Sequence, residues 1–177
     1  KGVPTWPFRR PAIGLAPMRW ALLLGILAVL AAPAGSQAAG CTRVSGTFTV
    51  VPGSAGAGNV VYALRLHNKG AASCLLSRLP ELRLLAAAGA KPKQLATKVV
   101  ADPRFTPRAF LLRPGKTATA QARFSPDVPG PGETTPGRCE PVAHYASVIV
   151  AGAKVVLRVS PPTSVCEHGS MTFTPYR

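Results

Sequence analysis

Residues 60–68 read VVYALRLHN, and this stretch decides the fold class. Apolar side chains at every second position alternate with a set that includes Arg65 and His67. A period of two places successive side chains on opposite faces of a β-strand, so that one face is buried and the other meets water. The Asn68-Lys69-Gly70 sequence that follows is rich in turn-forming residues and ends the strand. The stretch therefore predicts a half-buried β-strand.

The same period recurs on both sides of this strand. Residues 117–124 alternate between small apolar and polar side chains, and residues 145–150 and 154–159 are two β-branched runs. Ala151-Gly152-Ala153 separates those two runs and indicates a hairpin. Further strands are expected at residues 44–51, 81–85, 109–112 and 170–174. Seven to nine short strands with a turn about every ten residues predict an all-β fold, specifically an immunoglobulin-like β-sandwich.

One apolar run, WALLLGILAVLAA at residues 20–32, stands before all of these strands. It has the length of a signal-peptide core and is shorter than the roughly 20 residues that a membrane-spanning helix needs. Small residues follow it and place a cleavage site before Ala39. We therefore expect a cleavable signal peptide at residues 18–38 and a single β-sandwich domain at residues 39–177. The alternative is an uncleaved anchor helix.

Residues 1–17 precede Met18 and have no evident role in a leader. We expect them to be a mis-called start or a disordered N-terminal extension, with translation beginning at Met18. A twin-arginine signal at Arg9-Arg10 is disfavoured, because the Pro-Ala-Ile that follows is not the usual continuation of such a signal.

All four cysteines lie after the apolar run, at Cys41, Cys74, Cys139 and Cys166. An even number of cysteines in an exported chain indicates disulfides rather than reactive thiols. Three pairings are possible, and we favour Cys41–Cys74 with Cys139–Cys166. The first pair ties the start of the domain to the end of the 60–68 strand region, and the second ties the flanks of the C-terminal hairpin.

Cys41 also allows a second interpretation. The preceding Ala38-Ala39-Gly40 resembles a weak lipobox, in which the cysteine becomes lipidated and anchors the protein to a membrane. Lipidation would leave one cysteine unpaired, and a lipobox normally has an aliphatic residue where Ala38 stands. We therefore expect a secreted or periplasmic protein of the cell envelope. A lipid anchor at Cys41 is the alternative, and membrane contact is expected only in that case.

A series of short motifs along the chain resembles a known family. The motifs are Cys41, Leu64-x-Leu66-x-Asn68-x-Gly70, Cys74-x-Leu76-x-x-x-Pro80, Leu112-x-Pro114-Gly115, Cys139 and Val165-Cys166. Their order and spacing are similar to those of domain of unknown function 4232, found in secreted and lipid-anchored bacterial proteins. The resemblance spans residues 41–175 and implies an immunoglobulin-like sandwich with two disulfides and no assigned activity. Arg78 departs from the pattern, at a position where the family usually has glycine.

The charge of the chain has two interpretations: ordinary solubility and background composition, which we favour, or an anionic partner. The formal charge is +15, and residues 39–177 keep +11 of it because only four of the 21 basic residues, and none of the six acidic ones, precede them. Such an excess attracts anionic cell-wall polymers and acidic head groups. The basic residues are scattered singly rather than in dense runs, so no nucleic-acid partner is expected.

Arg65, His67 and Lys69 are the candidate polyanion patch, since alternate residues of a strand share one face. The alternative is an ordinary solvated strand face. Our leading hypothesis is a non-enzymatic binding or structural module of the bacterial envelope. Its partner would be an anionic cell-wall polymer or an envelope protein.

No catalytic motif is present in the sequence, and we expect neither an enzyme nor a cofactor. The chain has no Gly-x-Ser-x-Gly elbow and no phosphate-binding Gly-rich loop before a helix. The alternative function is a small-ligand or copper carrier with His144, His168 and Met171 as ligands, because imidazole and thioether groups suit copper. Met171 is the only methionine after the leader, which disfavours that alternative.

Overall fold

The computed structural model describes residues 41–89, 91–133 and 139–177. The predicted extension at residues 1–17 and signal peptide at residues 18–38 lie outside the described residues and stay predictions. No helix within the described ranges has the length and apolarity needed to cross a membrane.

Ten β-strands and one short helical turn make up the described chain, which confirms the all-β prediction. The elements are β1 Val44–Val50, β2 Val60–Asn68, β3 Cys74–Leu76, β4 Glu81–Leu85, β5 Lys98–Ala101, β6 Phe110–Leu112, β7 Thr117–Phe124, β8 Ala143–Val150, β9 Ala153–Thr163, α1 Cys166–Gly169 and β10 Ser170–Phe173.

Eight strands form one sheet in the order β4-β8-β9-β1-β2-β7-β10-β5, while β3 and β6 form a separate two-stranded sheet. Most neighbours are antiparallel, but β1 pairs with β9 and β10 pairs with β5 in parallel. The strand predicted from VVYALRLHN is β2, and it lies between β1 and β7 near the middle of the sheet. Its central place in the sheet explains why it shows the clearest alternation of apolar and polar side chains in the sequence.

The two ends of the large sheet approach each other. Residues 93–97, which we call the bridging segment, lead directly into β5 and hydrogen-bond to β4 at the opposite end. The N–H of Leu95 donates to the carbonyl of Leu84 at 3.0 Å, and the N–H of Ala86 donates to the carbonyl of Lys93 at 3.0 Å. The sheet therefore curves into a nearly closed barrel around one core.

Three aromatic rings occupy the centre of this core. The ring of Tyr62 lies between those of Phe48 and Phe124, with centroid distances of 5.3 Å and 5.2 Å. The Tyr62 hydroxyl donates to the carbonyl of Pro161 at 2.9 Å, so its polar end is satisfied. Burying a large apolar side chain of this kind stabilises a fold by about 1.5–3 kcal/mol. The inward face of β2 thus contributes a large buried aromatic side chain to the core.

Both disulfides have the pairing that the sequence favours. Cys41–Cys74 joins the start of the described chain to β3, with the two Cα atoms 5.6 Å apart. Cys139–Cys166 joins the approach to β8 with α1, with a Cα distance of 5.4 Å. The coarser prediction, an all-β domain with two disulfides, is confirmed.

Three details of the strand prediction differ from the structure. The strands β3 and β5 were not predicted, because three or four residues are too few to show a periodic pattern. The last long strand, β9, continues through Pro161 and Pro162 to Thr163 instead of ending at Val159. Proline lacks an N–H and is normally confined to strand edges and ends, which is why the sequence indicates an earlier end.

Candidate functional site

Arg65 lies in the middle of the outer face of the large sheet. The register places it directly between Thr47 of β1 and Thr119 of β7. The neighbouring Leu64 and Leu66 of the same strand are fully buried, so the Arg65 side chain points away from the core and is exposed. A cation therefore stands on the outside of the sheet with a hydroxyl on either side.

Two further arginines continue this line across the sheet. The parallel register pairs Phe48 of β1 with Val159 of β9, so the residues that precede them, Thr47 and Arg158, are neighbours on the opposite, outer face. On the other side, Thr119 and Arg177 exchange two backbone hydrogen bonds of 2.9 Å and 3.0 Å. The resulting series, which we call the arginine row, is Arg158, Thr47, Arg65, Thr119 and Arg177.

The spacing of the arginine row follows from sheet geometry. Neighbouring strands lie about 4.8 Å apart, so arginines on alternate strands recur at about 10 Å. Arg65, Arg158 and Arg177 are all exposed. A guanidinium group is permanently charged, and its forked donors match phosphate and carboxylate oxygens. The row therefore presents three evenly spaced anion-binding groups, with threonine hydroxyls between them.

A shallow depression of about 260 Å³ lies beside the arginine row. Its lining residues are Ser45, Gly46, Thr47, Arg65, His67 and Thr117. The Nδ1 atom of His67 is 3.1 Å from the Oγ1 atom of Thr117. Two members of the predicted patch, Arg65 and His67, thus lie at one surface, and the third, Lys69, is exposed just beyond the end of β2. Whether this surface binds a polyanion stays a prediction.

Carboxylates are rare on this side of the molecule. Among the ten described strands only β4 contains an acidic residue, Glu81. Within the described ranges, the one ion pair that involves an arginine or lysine joins Arg104 to Asp102 at 2.7 Å. Hydrogen bonds from the Arg104 side chain hold the pKa of Asp102 below its usual value. Among the described residues, no Asp or Glu side chain forms an ion pair with Arg65, Arg158 or Arg177.

The suggested copper ligands occupy different environments. Met171 is fully buried in the core, whereas His144 and His168 are exposed. The thioether is therefore not presented to the surface on which the imidazoles lie. This arrangement gives the carrier hypothesis no support from Met171.

Glu133 is a partner of His168 that the sequence analysis missed. Its carboxylate accepts hydrogen bonds from the backbone N–H groups of Gly130 at 2.6 Å, Glu167 at 2.8 Å and His168, and its side chain is only 2% exposed. The Nδ1 atom of His168 lies 3.8 Å from the carboxylate. Sequence separations of 34 and 35 residues hide these contacts, and the Cys139–Cys166 disulfide brings the two segments together.

The contacts of Glu133 explain why its pKa is lowered. Burial by itself would raise the pKa of this carboxyl, but the N–H groups of His168, Gly130 and Glu167 and the charge of His168 together hold the pKa below its usual value. Glu133, Glu140 and His168 each bring one possible ligand atom within 4.8 Å of the others. Because backbone donors already engage both oxygens of Glu133, we assign this cluster the structural role of fixing α1.

Replacing Glu133 with glutamine is expected to remove part of the acid sensitivity of the protein. A carboxyl with a lowered pKa contributes stability that is present above its unfolded pKa, near 4.5, and is lost as the pH falls through the folded pKa. The Glu133→Gln variant should therefore be less stable than the wild type at pH 7, with the gap closing towards pH 3. Urea unfolding midpoints measured across this range test the expectation, with the exposed Glu167→Gln as control. A gap independent of pH would contradict it.

The fold and the disulfides define a class of protein: a cross-linked all-β domain of the kind that works outside the reducing cytoplasm. The chain belongs to the family described as "Domain of unknown function (DUF4232)", which matches residues 41–177. No curated protein and no solved structure matches the chain with statistical significance.

Proposed function

We propose that this protein is a non-enzymatic module of the bacterial cell envelope that binds an anionic polymer across its arginine row. The observation that carries the proposal is the set of three exposed arginines, about 10 Å apart: Arg158 and Arg65 lie on strands without an acidic residue, and Arg177 lies in the C-terminal tail that bonds to β7. Each guanidinium can take a phosphate or carboxylate of the polymer, and the threonine hydroxyls between them can donate to its other oxygens.

The charge balance supports the same proposal. Residues 41–177 keep the excess of +11, which draws an anionic chain from solution before any specific contact forms. The arginine row then determines where and in which direction the polymer lies, namely across the strands. A surface of this kind binds through exposed ion pairs, so its affinity falls as salt shortens the range of charge interactions.

Removing the three arginines is expected to abolish most of the binding. We expect the variant Arg65→Gln/Arg158→Gln/Arg177→Gln to bind isolated cell walls and polyphosphate at least about tenfold more weakly, because each lost charge-assisted contact contributes roughly 0.5–1 kcal/mol or more. The wild type should itself be released at roughly 0.5 M salt, where the Debye length is about 4 Å. Sedimentation with walls and titration with polyphosphate measure both effects.

A matched variant separates the arginine row from net charge. Arg78→Gln/Arg83→Gln/Arg108→Gln removes the same three charges from exposed positions outside the row. The proposal expects this control to weaken binding by no more than about threefold, the share due to long-range attraction. Equal losses in the two variants would show that net charge alone binds the polymer and would refute a defined site.

The proposal also includes a specific type of β-fold and a specific cellular location. We infer an immunoglobulin-like sandwich, supported by the two disulfides and by one core cluster that takes buried side chains from both β4-β8-β9 and β2-β7-β10. We also infer a secreted or periplasmic form rather than a lipid-anchored one, supported by the bond of Cys41 to Cys74.

A further inference from the structure

Two leucines lie exposed side by side on the small β3–β6 sheet. Leu75 pairs in register with Leu111, and their exposed fractions are 61% and 52%. Cys74, Leu76 and Leu112, on the opposite face, are buried. Directly opposed residues have Cβ atoms about 5 Å apart, so the two leucine side chains form one apolar surface.

This apolar surface continues to the turn between β8 and β9. A shallow cavity of about 510 Å³ is lined there by Leu75, Ala109, Ile149 and Ala151, among others. Ile149 is itself 37% exposed. We call Leu75, Leu111, Ala109 and Ile149 the leucine patch. Contiguous exposed apolar side chains of this kind mark interaction surfaces more often than scattered ones do.

Three exposed arginines lie close along the chain to the strands of the leucine patch. Arg113 directly follows β6, Arg108 lies two residues before it, and Arg78 lies two residues after β3. All three are exposed, and Glu81 is the carboxylate that lines the same cavity. Arg78 and Glu81 thus line the cavity itself, whereas Arg108 and Arg113 lie next to the patch along the chain, and we call these three arginines its rim. The arginine row is a different surface, on β9, β1, β2 and β7.

The start of the domain lies next to this patch. The Cys41–Cys74 disulfide holds the point where the described chain begins beside β3, one residue from Leu75. The small sheet that carries the exposed leucines is therefore tied covalently to the first described residue.

We propose that the leucine patch contacts the surface of an anionic lipid bilayer, and that it does so without the lipid anchor at Cys41 on which the sequence alone made membrane contact depend. Leu75 and Leu111 enter the apolar side of the interface, while Arg78, Arg108 and Arg113 reach the head-group phosphates with their charged ends. A second copy of the chain fits this surface poorly, because pairing two patches would set three arginines against three in molecules that each carry an excess of +11. The negative charge of an anionic bilayer is complementary to the arginines of the rim, and its hydrocarbon interior can take up the leucine side chains.

Vesicle binding by the disulfide-bonded protein, taken as its host exports it, tests the proposal. We expect flotation with vesicles of phosphatidylglycerol and phosphatidylcholine, and weak flotation with phosphatidylcholine alone. Leu75→Ser/Leu111→Ser should weaken binding by about tenfold, because two apolar side chains no longer leave water. The matched control Val128→Ser/Val156→Ser changes two other exposed apolar residues and should alter binding by less than about twofold. Far-ultraviolet circular dichroism checks the fold of both variants.

A tryptophan probe gives a second measurement, one that does not require a variant with weakened vesicle binding. Fluorescence of Leu75→Trp should be quenched by brominated lipid, whereas that of Val156→Trp should not change on adding vesicles. Absence of flotation by the wild type, or equal binding by the leucine and valine variants, would overturn the proposal. So would loss of wall binding instead of vesicle binding in the leucine variant, which would assign the patch to a polymer or protein partner.

Discussion

Alanine at position 169 is expected to destabilise the protein by about 3–5 kcal/mol, at the upper end of single-residue effects. Gly169 ends α1 with a φ of +74°, a conformation that costs a residue with a Cβ about 1–2 kcal/mol. An added Cβ would also collide with the carbonyl of Ala96 and lie 2.8 Å from the N atom of Thr97. Both obstacles are backbone atoms of the bridging segment, so no side-chain rotation relieves the clash.

Gly152 provides the matched control for this prediction. It has a similar φ of +85°, but nothing lies within 4 Å of the position of its missing Cβ. Gly152→Ala should therefore cost only the conformational penalty of about 1–2 kcal/mol. Urea unfolding of both variants measures the difference. Equal losses at the two positions would mean that the bridging segment moves aside and that its packing against Gly169 contributes little.

Loss of the Cys41–Cys74 disulfide is expected to cost about 3–4 kcal/mol. The bond closes a loop with a sequence separation of 33 residues, and its removal frees the unfolded chain more than the folded one. Both cysteines are buried, at 7% and 1% exposure, so Cys41→Ser/Cys74→Ser also leaves two hydroxyls in an apolar site. The double replacement avoids the reactive thiol that a single one would leave.

The Cys139–Cys166 disulfide serves as the comparison. Its sequence separation of 27 residues predicts nearly the same entropic cost, about 3–4 kcal/mol. Unfolding midpoints of the two double-serine variants, with and without reductant, measure each bond separately. A loss below about 1 kcal/mol for Cys41–Cys74 would show that β3 holds its place through packing alone.

Local patterns predicted the parts of the fold that depend on local chemistry. The alternation in residues 60–68 identified β2 and its buried face, and the export context of four cysteines indicated disulfides. The contacts that close the sheet were not predictable in this way. The hydrogen bond between Leu95 and Leu84 joins backbone groups, which every residue has. It therefore leaves no pattern in the side-chain sequence from which it could be predicted. The short β3 and β5 owe their positions to their neighbours in the sheet.

In the candidate site, too, the contacts within one strand were predictable from the sequence and the contacts between distant segments were not. Arg65 and His67 could be placed on one face because they lie on a single strand two residues apart. Arg158 and Arg177 could not be added to that face, since their alignment depends on the parallel pairing of β9 with β1 and on the hydrogen bonds of the C-terminus to β7. Glu133 was missed for a related reason, because its partners are backbone N–H groups in a distant turn.

The bridging segment also has a consequence for solubility. An edge strand with free backbone groups is a template on which another chain can add a strand, and long exposed edges lead to aggregation. At the end of β4 some of those groups are already occupied: the N–H of Leu84 donates to the Thr97 hydroxyl at 2.9 Å, and Leu84 and Ala86 bond to the backbone of the segment. The segment thus covers this end of the edge against strand addition. A variant that displaces the segment is therefore expected to aggregate more readily than the wild type, because it frees these backbone groups for pairing with another chain.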